Sequence, residues 1–109
     1  MSADDRVLVD RVYRAVANET RREILALLKD PERSFGRERY ADQGLDVDAG
    51  VCVQDIQKAI GLSQSVTSTY LKNLQDAGLL RSFRAGRWTY YRRDEDAIRE
   101  FAERVSRSL

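Results

Sequence analysis

The stretch from Asp55 to Arg93 constrains this chain more than any other, because it demands two short helices at a tight turn and then a basic hairpin. Asp55-Ile56-Gln57-Lys58-Ala59-Ile60 reads as a first helix and Gly61-Leu62 as the turn. Ser63 is placed to cap a second helix that runs through Val66, Leu71 and Leu74 to Gly78, a residue suited to a left-handed C-terminus. That second helix carries a run of small polar residues: Gln64, Ser65, Thr67, Ser68 and Thr69. Ser and Thr compete with the backbone for hydrogen bonds and lower helix propensity, so a helix that serves only packing seldom has this composition. A helix lying in the major groove of a duplex can use it, since hydroxyls and amides reach base edges and phosphates.

Charge distribution supports a polyanionic partner. The stretch holds seven bases (Lys58, Lys72, Arg81, Arg84, Arg87, Arg92 and Arg93) against two acids (Asp55 and Asp76). It is therefore +5 in a chain of net charge +1, and the remainder carries −4. A solvated charged face would look the same by charge alone. At 109 residues there is room for one domain with one modest core. The single cysteine, Cys52, excludes an intramolecular disulfide, and the absence of histidine removes the commonest general base and metal ligand. No signal-peptide pattern or membrane-length apolar run is present, so the expected location is the cytoplasm, with no membrane partner.

Flanking segments complete the outline. Residues 4–16 fit an amphipathic helix with Asp4 and Asp5 at its positive end. Asn18 is placed to cap a second helix, Glu19 to Lys29, whose apolar face is Ile24, Leu25, Leu27 and Leu28; Pro31 is expected to close it. Residues 30–50 have no sustained period and carry six acids against three arginines, which reads as a long polar loop with a short turn near Arg37 to Ala41. It could be an effector or partner loop, or a tolerated insertion. Val51, Val53 and Ile56 are expected to begin the first helix of the central pair. Leu79–Arg84 and Arg87–Arg92 read as strands around Ala85-Gly86. Pairing Arg84 with Arg87 would set Phe83 opposite Trp88 and Leu80 opposite Tyr91, with both guanidiniums at a tip where a phosphate relieves their repulsion. Asp94 is placed to cap a last helix with an apolar stripe of Ile98, Phe101, Ala102, Val105 and Leu109.

The element order is that of a winged helix-turn-helix, and three segments resemble the ArsR/SmtB repressor family. Val12 to Leu25 (VYRAVANETRREIL) resembles the family's "F-x-A-L-x-x-x-T-R-x-x-I-L". Leu62 to Leu74 (LSQSVTSTYLKNL) resembles its "L-S-Q-S-T-V-S-x-H-L-K-x-L". Ala77-Gly78-Leu79-Leu80 followed by Gly86-Arg87-Trp88-Thr89-Tyr90-Tyr91 resembles its "A-G-L-V … G-R-x-x-Y-Y". The resemblance spans most of the chain outside residues 31–49. It implies a homodimeric transcriptional repressor on a palindromic operator, released by an inducer, with contacts to bases and phosphates from Gln64, Ser65, Ser68 and Thr69 and Lys72 near the backbone. Thr67 joins them as a member of the polar run, and Arg84 and Arg87 would form the wing. Where family members often carry Arg and His, this chain has Thr69 and Tyr70, and the usual Thr-Val is Val66-Thr67. Direct reading is therefore expected to use amide, hydroxyl and apolar contacts, thymine methyls included. Where metal sensors resemble "E-L-C-V-C-D-L", this chain reads Gly50-Val51-Cys52-Val53-Gln54-Asp55-Ile56 and keeps one of the two cysteines. One thiol and no imidazole do not make an arsenic or zinc site, so no metal and no cofactor are expected.

The expected architecture is mainly α with a small β-hairpin. It is a single winged helix-turn-helix domain over 1–109, with a polar loop at 30–50, the helix-turn-helix at 55–78, the wing at 79–93 and a C-terminal dimerisation helix at 94–109. The N- and C-terminal helices would form the dimer interface. The expected function is a sequence-specific DNA-binding regulator, a repressor answering to a non-metal signal. Two alternatives remain open: a winged-helix protein-interaction module, and a redox-responsive repressor acting through Cys52 as sensor. Enzymatic function lacks support, since there is no histidine, nucleophile elbow, phosphate-cradling loop or metal cluster in the sequence.

Overall fold

A computed structural model describes residues 2–109, which form seven helices and three strands. Helix α1 (Ala3–Val16) starts at Ser2, whose hydroxyl accepts from the Asp5 amide, and carries Asp4 and Asp5 in its first turn. Helix α2 (Glu19–Lys29) starts at Asn18, whose side chain accepts from the Arg21 amide. The central pair is α5 (Val53–Ile60) and α6 (Gln64–Asp76), joined through Gly61 at φ 71°, a left-handed conformation open to glycine without strain. Strands β2 (Leu80–Ala85) and β3 (Trp88–Arg93) form the hairpin, and α7 (Glu95–Ser108) follows the Asp94 cap.

The core is where these faces converge. Ile24 of α2, Ile56 of α5 and Leu71 and Leu74 of α6 are all fully buried, and Val12, Leu28, Leu79, Leu80 and Tyr90 are buried around them. Burying them fixes the angle of α6 against the rest of the domain, which leaves its opposite face outward.

Residues 30–50 are not the loop expected from their composition. Pro31 opens a helix instead of closing one: it is the first residue of α3 (Pro31–Phe35), where its missing N–H costs nothing, and Asp30 caps that helix through the Arg33 amide. A second short helix, α4 (Glu38–Asp42), follows. The segment is anchored by two apolar residues its polar composition concealed, Tyr40 at 3% exposure and Val47 at 0%. Its charges are also matched to one another, as Arg37 reaches Glu32 at 2.8 Å, Asp48 at 2.6 Å and Asp46 at 3.5 Å.

Val51-Cys52 departs from expectation too. It is a strand, β1, and not the first turn of a helix; it pairs antiparallel with β3 (Val51 opposite Tyr91, Cys52 opposite Tyr90), so the hairpin becomes a three-stranded sheet in the order β1-β3-β2. The hairpin register differs as well. Ala85 lies opposite Trp88, Phe83 opposite Tyr90 and Leu80 opposite Arg93, leaving Gly86-Arg87 as the two-residue turn. Such turns require positive φ at their first central residue. Gly86 supplies it at φ 63°, whereas the register pairing Arg84 with Arg87 would ask it of Ala85. The two-residue shift keeps every side chain on its expected face and changes only its neighbour, so Phe83 stacks on Tyr90 with ring centroids 5.3 Å apart.

Candidate nucleic-acid interface

The outward face of α6 is set by its cap and by what its inner face buries. The Ser63 hydroxyl accepts from the Val66 amide at 3.2 Å, and Gly78 at φ 81° ends the helix. With Leu71 and Leu74 inward, Gln64, Ser65, Ser68, Thr69 and Lys72 are all exposed. Thr67 is not among them. It is 0% exposed, and its hydroxyl donates to the Ser63 carbonyl at 2.8 Å, so it belongs to the core and is withdrawn from the expected contact set. The reason is helical spacing: Thr67, Leu71 and Leu74 recur at four and three and share one stripe. The neighbour that sequence reasoning passed over, Val66, is on the outward side at 38% exposure.

The sheet carries the second part of the surface. Arg84 and Arg87 are exposed at the hairpin tip, and Arg84 donates to the Arg87 carbonyl at 3.2 Å, which holds one guanidinium across the turn. Neither meets a carboxylate among the described residues. Two other arginines of the stretch are committed elsewhere. Arg81 pairs with Asp94 at 2.9 Å, while Arg93 pairs with Glu95 at 2.7 Å and donates to the Leu25 carbonyl at 3.2 Å. Lys72 lies 3.7 Å from Asp76 one turn along α6, an exposed pair that contributes little to stability and leaves the ammonium accessible. Asp94 fastens the base of the wing to α7. The Ala97 amide and then Arg81 hold its carboxyl below the usual value of 3.8.

The segment 31–49 buttresses this surface from behind. The Tyr40 hydroxyl donates to Asp55 of α5 at 2.5 Å and accepts from the Cys52 amide at 2.9 Å, while Arg39 pairs with the same Asp55 oxygen at 2.8 Å. Burial and the Asp55 carboxylate both raise the Tyr40 pKa, so the hydroxyl stays protonated and the bond persists across the ordinary pH range. Gly50 lets the chain pass the sheet closely: a Cβ there would sit 2.7 Å from the Phe83 ring. Neither Tyr40 nor Arg39 was singled out from sequence. An isolated tyrosine in an acidic stretch is the only signal either leaves there.

Three comparisons with known proteins bear on this geometry. A family profile for "Bacterial regulatory protein, arsR family" matches residues 49–82, from β1 through α6 into β2. Over 93 residues the chain is 42% identical to the uncharacterized HTH-type transcriptional regulator YbzH of Bacillus subtilis, covering 84% of this chain and 89% of that one. The chain belongs to the ArsR family. Its fold is similar to the crystal structure of a possible transcriptional regulatory protein from Mycobacterium bovis, at TM-score 0.69 and 29% identity with both chains fully covered. It is also similar to the solution structure of a homodimeric winged helix-turn-helix DNA-binding domain from the same organism, a possible ArsR-family regulator. That match has TM-score 0.61 and 29% identity over 99% of this chain and 87% of that one. This ArsR-family member is a transcriptional regulator with a winged helix-turn-helix DNA-binding domain.

A hollow beside Cys52 is the place to look for the metal that the family name suggests. Arg39, Tyr40, Gln43, Gln54, Asp55, Trp88 and Tyr90 surround it. Cys52 is half-buried and the only thiol, and the one carboxylate there, Asp55, is already taken by a guanidinium and a phenol. Trivalent arsenic requires several thiolates and zinc about four nitrogen or sulfur ligands, so this donor set fits neither.

Proposed function

We propose that this ArsR-family chain is a homodimeric repressor that grips a palindromic operator through α6 and the Arg84–Arg87 tip, in the cytoplasm and without catalytic activity. The observation that carries the reading is the pairing of a polar outward helix face with two guanidiniums that meet no carboxylate among the described residues, in one domain. Gln64, Ser65, Ser68 and Thr69 are assigned to bases and phosphates, with Lys72 beside the backbone. Self-association rests on the terminal helices. No residue of α7 is fully buried within the protomer, although Tyr13 of α1 meets Phe101 edge-on at 5.6 Å and Asp5 meets Arg104 at 2.8 Å. Val7 remains 59% exposed and Leu109 94%, apolar surface that a two-fold partner would cover. The similar domain from Mycobacterium bovis is homodimeric. The releasing signal is assigned to a non-metal class, because the donor set at Cys52 fits neither arsenic nor zinc.

Selection from random duplex DNA under reducing conditions tests this. Enrichment of an inverted repeat with half-site centres about 34 Å apart is the expected result. Replacing Arg84 and Arg87 together by Ala should weaken binding across sequences and lower the log–log salt slope by about 2 per protomer. Unchanged affinity in that variant would remove the wing from the interface. Repeating the selection after mild oxidation separates a Cys52-linked response from a ligand-linked one.

A further inference from the structure

The outward face of α6 is less polar than its sequence suggests, because several hydroxyls are turned back onto the helix. Thr69 donates its hydroxyl to the Ser65 carbonyl at 2.9 Å. The Ser63 hydroxyl is spent on the Val66 amide and approaches the Ser65 hydroxyl at 3.4 Å. Thr67 is inside. Beside Gln64, Ser65 and Ser68, the face therefore presents the two methyls of Val66 and the methyl of Thr69, which lie three residues apart and are neighbours on the helix surface. No guanidinium stands on it, and its ammonium, Lys72, is drawn towards Asp76 at the far end. Leu62, one turn before Val66, is equally exposed at 38%.

A single exposed valine ordinarily needs no explanation. Here its surroundings supply one. Valine is a weak helix former, and this position is the centre of the surface assigned to DNA. In a major groove, the one base-edge group that an apolar branched side chain complements is the C5-methyl of thymine. We propose that Val66, with the Thr69 methyl, reads a thymine C5-methyl in each operator half-site, so that thymine is chosen over cytosine there by apolar contact. This rests on the DNA-binding reading above. The basic wing tip supplies sequence-independent grip beside it, which lets the helix face spend its contacts on discrimination.

The test uses the full chain and the inverted repeat recovered by selection. Each thymine of a half-site is replaced in turn by 2′-deoxyuridine, which deletes the methyl and leaves Watson–Crick pairing intact. At one position the affinity should fall about fourfold per half-site, the effect of exposing one methyl-sized apolar group, and about fifteenfold when both half-sites are changed. Val66→Ala should bring the thymine-to-uracil ratio at that position close to one, and Val66→Ile should keep it. Both substitutions are on the protein surface, so circular dichroism should match the parent chain. If no thymine shows a uracil penalty, or if Val66→Ala keeps the parent ratio, the proposal is overturned while DNA binding stands. If no duplex is bound at all, the DNA-binding reading falls and this one with it.

Discussion

Replacing Tyr40 by Phe removes one oxygen atom and tests whether segment 31–49 is part of the reading unit. Tyr40 is 3% exposed, so its ring is fully committed to the core, and Phe would keep the edge-on contact with Tyr90 at 6.5 Å. The loss is therefore confined to hydrogen bonding. The bond to the Asp55 carboxylate at 2.5 Å disappears, and the Cys52 amide loses its acceptor at 2.9 Å. A hydrogen bond to a charged group contributes about 1.5–3 kcal/mol net, and stranding a part-buried amide adds to this. Arg39 remains on Asp55 at 2.8 Å and offsets part of the loss. The expected destabilisation is about 2 kcal/mol, which at a urea slope of about 2 kcal/mol per molar is a midpoint lowered by roughly 1 M. Equilibrium urea unfolding followed by circular dichroism, at one fixed protein concentration because the chain is taken as dimeric, would measure it. Tyr40→Ala should cost more, about 3–5 kcal/mol, by adding a cavity. If Tyr40→Phe unfolds within about 0.5 kcal/mol of the parent, the bridge to Asp55 and Cys52 contributes nothing and the segment is held by its apolar anchors, Tyr40 and Val47, alone.

Three further outcomes are expected. Thr67→Val should leave DNA affinity unchanged and cost at most about 1 kcal/mol of stability, since the Ser63 carbonyl keeps its bond from the Thr67 amide at 3.0 Å; a selective loss of DNA binding would show that Thr67 faces the duplex after all. Stability should fall on acidification below about pH 4, because the carboxyls of Asp5, Glu32 and Asp94 are all held below their usual values by hydrogen bonds and arginines. Their folded pKa values are depressed, so their contribution is present above the unfolded values and is lost as pH falls through the folded ones; a flat acid limb in urea titrations would contradict this, and Asp94→Asn should make the limb shallower. Phe101→Asp on α7 should shift the chain from dimer to monomer in analytical ultracentrifugation and weaken operator binding, whereas a dimer that survives it would place the interface elsewhere.

The elements were largely legible because each was announced locally. Ser63, Asn18 and Asp94 cap the helices expected of them, and Gly61 and Gly78 occupy left-handed turns. Periodicity could also have placed Thr67 correctly: its spacing to Leu71 and Leu74 sets it on the apolar stripe and sets Val66 off it, but the chemistry of a run of hydroxyls outweighed its geometry. The hairpin register was likewise within reach, since Gly86 is the one turn residue that tolerates the required φ. Segment 31–49 was a different case. Its helices are five residues each, too short to show a period, and its hold on the domain depends on Tyr40 meeting Asp55 and Cys52, residues 15 and 12 positions away.

By itself, then, the sequence determined the winged helix-turn-helix order and the basic hairpin, because caps, turns and amphipathic faces are properties of residues within a few positions of one another, while its motifs carried the resemblance to the family. Only the tertiary structure decided which arginines lack a carboxylate among the described residues, that Val51-Cys52 is a strand, and that an acidic stretch packs against the helix-turn-helix. Those outcomes depend on pairings across the chain, such as Arg81 with Asp94, Arg93 with the Leu25 carbonyl and Tyr40 with Asp55, and their partners are chosen by how the core packs and not by any local pattern.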